Sequence, residues 1–95
     1  MNTLDQVASS IIKDQEKVIG PFAWDEAAQV AGLQILNRET GKVEIVSDTN
    51  HGKVIDDLVS QYVELFGRAA REACREAAAP FIVGLSAAEV PSSLK

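Results

Sequence analysis

Four polar side chains that could bind a ligand or move protons lie close together in the sequence: Asp48, Asn50, His51 and Lys53. An imidazole near a carboxylate and an ammonium group can transfer protons or hold a polar ligand. The same stretch is rich in residues that cap helix N-termini, so helix initiation is the competing interpretation. In a dimer, two copies of this loop, or one loop and an opposing helix, could enclose a cleft. We therefore treat the loop as a weak candidate for a ligand-binding site.

His51 and Cys74 are the only residues of their kinds, so a cysteine–histidine nucleophile pair would need both. Along a continuous helix they would lie about 34 Å apart, which excludes such a pair within one chain. One histidine and one cysteine cannot build a zinc site. The segment from Asp48 begins like a calcium loop, but Lys53 and Val59 stand where that loop needs glycine and glutamate. We predict no catalytic residue, no metal site and no cofactor.

The chain is acidic, with nine Lys and Arg residues, fourteen Asp and Glu residues and a formal net charge of -5. Binding of nucleic acid draws on clustered basic residues, whereas Arg68, Arg71 and Arg75 alternate with glutamates as on a solvated helix face. No apolar run approaches the ~20 residues that span a bilayer, and the first residues do not resemble a signal peptide. A lone cysteine fits a reducing compartment. We expect a cytoplasmic protein that binds neither nucleic acid nor membranes.

Hydrophobic periodicity predicts the elements that hold these residues. An apolar stripe at helical spacing predicts a first helix over Thr3–Ile19, and Gly20-Pro21 separates it from a short second helix over Phe22–Ala31. Two short runs rich in Leu, Ile and Val, at Leu33–Asn37 and Lys42–Ser47, predict a β-hairpin. Such a hairpin is barely stable alone, so it must lie on the helices.

A third helical pattern runs from about Lys53 to Ala79 and is interrupted only by Gly67. As one helix it would be about 40 Å long, while a compact globule of this chain length is about 32 Å across. Its apolar residues cover about half of the circumference, which suggests two packing neighbours. The alternative is a long helix that is packed wholly by its own first and second helices. A stable monomer would mean that the chain folds this helix back or bends it at Gly67.

We favour self-association through this face, because small residues let helix axes approach closely. The predicted interface residues are Val59, Tyr62, Val63, Phe66, Ala69, Ala70, Ala73 and Ala77.

The predicted fold is α+β, in the order helix, short helix, two-stranded hairpin and long C-terminal helix, packed in two layers as one domain over residues 1–95. We expect residues 86–95 to form a flexible tail.

The predicted function is that of a non-enzymatic interaction or regulatory module that acts as a homodimer through its long helix. Two alternatives stay open. One is a ligand-binding or enzymatic protein whose site lies between subunits near residues 48–53. The other is an accessory subunit of a larger complex, whose alanine-rich face meets a different protein.

Overall fold

A computed structural model describes residues 2–46 and 48–95 of the chain. Its helices and strands are α1 (Thr3–Ile19), α2 (Phe22–Ala27), β1 (Leu33–Asn37), β2 (Lys42–Ile45), α3 (His51–Phe66), α4 (Arg68–Ile82) and a 3-10 turn (Ser92–Leu94). The predicted α+β class is confirmed, and α1 and β1 have the bounds that the sequence predicted.

Helix α1 is tied to the hairpin by one carboxylate, that of Asp5. The Asn2 side chain accepts a hydrogen bond from the Asp5 backbone N–H at 2.9 Å, and the Asn2 backbone N–H donates to Asp5 Oδ2 at 3.3 Å, which together cap the helix. Asp5 Oδ1 accepts the backbone N–H of Ile45 at 2.9 Å. The same side chain therefore caps α1 and satisfies a donor of strand β2.

The hairpin lies on α1 with its apolar face inward. Leu33 pairs with Ile45 and Ile35 with Val43 in an antiparallel register, and an irregularity follows Ile35. The Ser9 hydroxyl donates to the Gly41 carbonyl at 2.6 Å and fixes the hairpin turn on the helix. Strand β2 ends at Ile45, earlier than predicted, and the predicted final residue Ser47 lies outside the described residues.

The prediction of one continuous long helix is wrong. The helix stops at Gly67, whose φ of 74° and ψ of -155° are readily adopted only by glycine. The Gly67 N–H donates to the Val63 carbonyl at 2.7 Å and closes α3, and α4 begins at the next residue. Helices of about 24 Å and 22 Å fit a molecule with extents of 32 × 27 × 20 Å. Because of this turn, both helices fit within a single compact chain. The length of a straight helix is therefore no longer a reason to expect association.

After the turn, α4 runs antiparallel to α1. The Ser10 hydroxyl donates to the Ala77 carbonyl at 2.8 Å, while Asp14, further along α1, lies near Cys74, which comes earlier in α4. Cys74 is fully buried in this contact. Helix α4 is therefore held against α1 along most of its length.

Three element ends differ from the sequence prediction. Helix α2 ends at Ala27 instead of Ala31, and the chain then turns through Gly32, where φ is 87°. Helix α4 continues through Pro80 to Ile82 instead of ending at Ala79. Proline cannot donate the usual helical hydrogen bond, but Phe81 and Ile82 pack against the core and hold the last turn in place.

The last residues of the chain lie on α3 and α4. Both the backbone N–H and the hydroxyl of Ser93 donate to Asp56 Oδ1, at 2.9 Å and 2.6 Å, and Leu94 is buried. The mobility expected for residues 86–95 stays a prediction.

The core is closed within the single chain. Its largest buried side chains include Trp24, Tyr62 and Ile11, which come from α2, α3 and α1. The solvent-accessible area is 5240 Å², and a stable monomer of 10.2 kDa is expected to have about 5,300 Å². The accessible area therefore has the value expected of a folded monomer of this size.

We predict that Asp5→Ala lowers the free energy of unfolding by about 1–3 kcal/mol, because the buried Ile45 N–H loses its acceptor and α1 loses part of its cap. Denaturation followed by Trp24 fluorescence measures the change. Asp57→Ala is the matched control, since it removes only an exposed ion pair with Lys53 and should change the free energy by less than about 0.5 kcal/mol. Equal losses in the two variants would contradict the role of Asp5.

Candidate functional site

A cavity of about 480 Å³ lies where the first turns of α1 and α3 meet the turn after α4. Residues 2–4 and 50–52 form two of its walls, and Leu85, Ala88 and Glu89 form the third. Sequence reasoning found the wall at residues 50–52 only. The other two walls come from distant parts of the chain, and no local pattern indicates that they meet.

The four predicted ligand-binding residues separate into two groups. Asn50 and His51 line the cavity, whereas Asp48 and Lys53 do not, and both of these are exposed. The Asn50 side chain accepts the Lys53 backbone N–H at 3.1 Å and caps α3, which confirms a capping role for that residue. The Lys53 ammonium group is paired with Asp57 Oδ2 at 2.9 Å. His51 is thus the predicted residue best placed to contact a ligand.

Glu89 gives the cavity a negative charge. Its carboxylate accepts the backbone N–H of Ser86 at 3.0 Å, and this hydrogen bond lowers the pKa of Glu89. With Leu4 and Leu85 as apolar walls, the cavity offers an imidazole, a carboxylate and a hydrophobic surface. This combination suits a small ligand with a hydrogen-bond donor or a positive charge.

The buried thiol of Cys74 is a poor nucleophile. Burial raises its pKa to about 12, and the negative charge of Asp14 adds to the effect. His51 lies beside the first turn of α1, while Cys74 lies near Asp14, about 15 Å further along that helix. The two side chains remain apart, as predicted, although the reason is their placement along α1 and not the length of a straight helix.

The predicted interface residues differ in how deeply they are buried. Val59, Tyr62 and Ala70 belong to the monomer's own core, and the Tyr62 hydroxyl donates to the Ala23 carbonyl at 2.7 Å. Val63, Ala73 and Ala77 are half-buried. Only Phe66 and Ala69 are exposed. Residues buried in the folded monomer cannot form a contact between two such monomers, so much of the predicted face is already occupied.

What remains open is an apolar end of the molecule beside Gly67, which we define as Phe22, Leu65, Phe66 and Ala69. Leu65 is 46% exposed and Phe66 is 42% exposed. Phe22 is also exposed and directly precedes Ala23. The Ala23 carbonyl accepts a hydrogen bond from the Tyr62 hydroxyl. Phe66 follows Tyr62 by one helical turn. The start of α2 is therefore linked to α3 one helical turn before Phe66.

Within residues 2–46 and 48–95, no three His, Cys, Asp or Glu side chains are placed to hold a metal ion. In the same part of the chain, no helix combines the length and apolar character needed to cross a bilayer.

No protein-family model matches the chain, and comparisons with curated proteins and with solved structures gave no significant match.

The raised pKa of Cys74 predicts a loss of stability in alkali. The unfolded thiol loses its proton near its ordinary pKa of 9.0, whereas the buried thiol keeps its proton up to about pH 12. The unfolded state therefore binds fewer protons in this window, and the free energy of unfolding should fall by about 1 kcal/mol between pH 9 and pH 10. Urea denaturation at the two pH values measures the fall. Cys74→Ala should remove the part of this fall that is due to the thiol. An unchanged pH dependence of the free energy of unfolding in that variant would contradict the role given to Cys74.

Proposed function

We propose that the protein is a cytoplasmic, non-enzymatic interaction or regulatory module that acts as a homodimer, with the apolar end as its contact surface. The observation that carries the proposal is the exposure of two large apolar side chains, Leu65 and Phe66, in the last turn of α3. Clustered exposure of large apolar side chains marks interaction sites more often than isolated exposure does. The cytoplasm is the proposed compartment because Cys74 is the only cysteine and remains a free thiol.

A second copy of the chain is the occupant that fits this surface. Exposed charges of both signs, Glu64 and Arg68, flank Leu65 and Phe66 in the sequence. In a two-fold contact each surface meets its own copy, so Glu64 of one chain can approach Arg68 of the other. Since the core closes within one chain, each chain is folded before it associates.

We predict that Phe66→Asp weakens the dimer by at least about 2 kcal/mol, since it places a charge in the centre of the apolar contact. Light scattering across a concentration series measures the dissociation constant, and circular dichroism checks that the variant is folded. Val83→Asp is the matched control, because Val83 is 84% exposed and lies beyond the other end of α4. A wild-type protein that stays monomeric up to millimolar concentration would overturn the proposal.

A ligand-binding function is the second candidate, and the cavity beside His51 supports it. In contrast to the sequence-based alternative, this cavity lies within one chain.

For that candidate, we predict that His51→Ala abolishes thermal stabilisation by any compound that binds the cavity, because the imidazole supplies a polar contact of its wall. The measurement is a thermal-shift screen of small metabolites, with emphasis on cations and on compounds that carry hydrogen-bond donors. Lys53→Ala is the control, since Lys53 lies near His51 in sequence but does not line the cavity. A screen without a stabilising compound, or equal effects of both variants, would count against this function.

A further inference from the structure

The connection between α3 and α4 is a single residue, Gly67. Its φ of 74° and ψ of -155° place it where a side chain is strongly disfavoured. Nothing lies within 4 Å of the position that a Cβ would occupy, so no packing contact requires glycine there. Only the backbone conformation does. The fold of α4 onto α1 thus depends on one pair of dihedral angles.

The sequence on both sides of Gly67 supports the opposite arrangement. The apolar positions Val63, Phe66, Ala70 and Cys74 continue at helical spacing across the turn without a change of register. A glycine within a helix costs only about 1 kcal/mol relative to alanine, so a straight α3–α4 helix is energetically accessible to this segment. That helix would be about 48 Å long, which exceeds the longest extent of the molecule, 32 Å. Straightening the turn therefore removes α4 from its own α1.

The surface that α4 leaves is specific for α4. It includes the Ser10 hydroxyl, which donates to the Ala77 carbonyl, and the apolar wall that buries Ala70, Cys74 and Ala78. A second copy of the chain carries an identical α4. Residues 83–95 follow α4 and must be exchanged with it, because Ser93 donates to Asp56 of α3. Exchange of this whole segment between two copies restores each of these contacts, now between chains.

The exchange also accounts for the exposed side chains beside the turn. In the closed monomer, Leu65 and Phe66 face solvent next to Gly67. In an exchanged dimer the two straight helices pass each other near their Gly67 residues. The side chains closest to Gly67 then meet their counterparts from the other chain and become covered.

We propose that two copies of this protein dimerise by exchanging α4, with Gly67 as the hinge between a closed monomer and an exchanged dimer. This inference rests on the proposed homodimer and specifies how it is built. In the exchanged dimer, the α1 surface of each copy binds the α4 helix of the other copy.

Gly67→Ala tests the hinge, because alanine disfavours the closed turn and favours a continuous helix. Helix propensity alone, acting in both chains, should lower the dimer dissociation constant about 20-fold. Gly20→Ala is a closely matched control. Gly20 has a φ of 74° and a ψ of -160°, and nothing lies within 4 Å of its Cβ position either. Pro21 follows it and disfavours a continuous helix, so this variant should be strained without gaining a dimer.

A mixed pair of chains distinguishes exchange from side-by-side association. One chain carries Ser10→Cys and the other carries Ala77→Cys, and both carry Gly67→Ala and Cys74→Ala. They are refolded together and treated with a short bismaleimide. Positions 10 and 77 adjoin each other across the α1–α4 contact, so the two different chains become crosslinked in an exchanged dimer. The same pair with Gly67 retained, refolded at high concentration, provides the test if the Gly67→Ala chains do not fold.

Dimerisation of Gly67→Ala together with crosslinking of the mixed pair is the expected result. A dimer without that crosslink would overturn the exchange while leaving the proposed homodimer intact. A monomer in wild type and in both glycine variants would overturn the exchange and the homodimer together. Crosslinking of the mixed pair with Gly67 retained would support exchange even without the alanine variant, and its absence there would overturn it.

Discussion

The turn at Gly67 is the constraint on which the rest of the structure depends. A positive φ at this one residue reverses the chain and lays α4 on α1, where the Ser10 hydroxyl meets the Ala77 carbonyl. That contact buries Cys74 and Ala78, and with Tyr62 from α3 it completes a core inside one chain. Without the reversal, the alanine-rich helix would extend beyond the molecule. The closed monomer therefore exists because this position carries no side chain.

Much of the architecture could be predicted from the sequence, because local signals specify it. The apolar stripe of α1 and the β-branched runs of the hairpin have periods that only one kind of element satisfies. The break at Gly67 could not be predicted in this way. A glycine inside a helix costs only about 1 kcal/mol relative to alanine, so the continuous apolar pattern across it favoured one helix. The deciding term is the burial of α4 against α1, which is a tertiary contact that no local window contains.

The candidate site shows the same division between local and distant information. Asn50 as a helix cap follows from its type and from its place before a helical pattern, and the structure has it in that role. The cavity beside His51 also needs Leu4 and Glu89, from opposite ends of the chain, and only the folded structure brings them together. Three residues of the predicted interface, Val59, Tyr62 and Ala70, lie in the monomer's own core for a related reason. An apolar face on a helix indicates burial, but it does not specify whether the covering surface belongs to the same chain or to another.

The area of the molecule limits what kind of association can occur. A chain whose accessible surface already equals that expected of a stable monomer gains little core from a partner, so the proposed dimer would be in equilibrium with a folded monomer. The proposed exchange of α4 would keep the contacts of the closed form. The balance between the two forms then depends on three terms: the backbone conformation at Gly67, the apolar area of Leu65 and Phe66 that becomes covered, and the entropy lost when two chains join. None of these terms is large compared with the packing of the core. In the proposed exchange, concentration or a small perturbation at Gly67 would change the assembly state, while each set of packed helices keeps the same contacts.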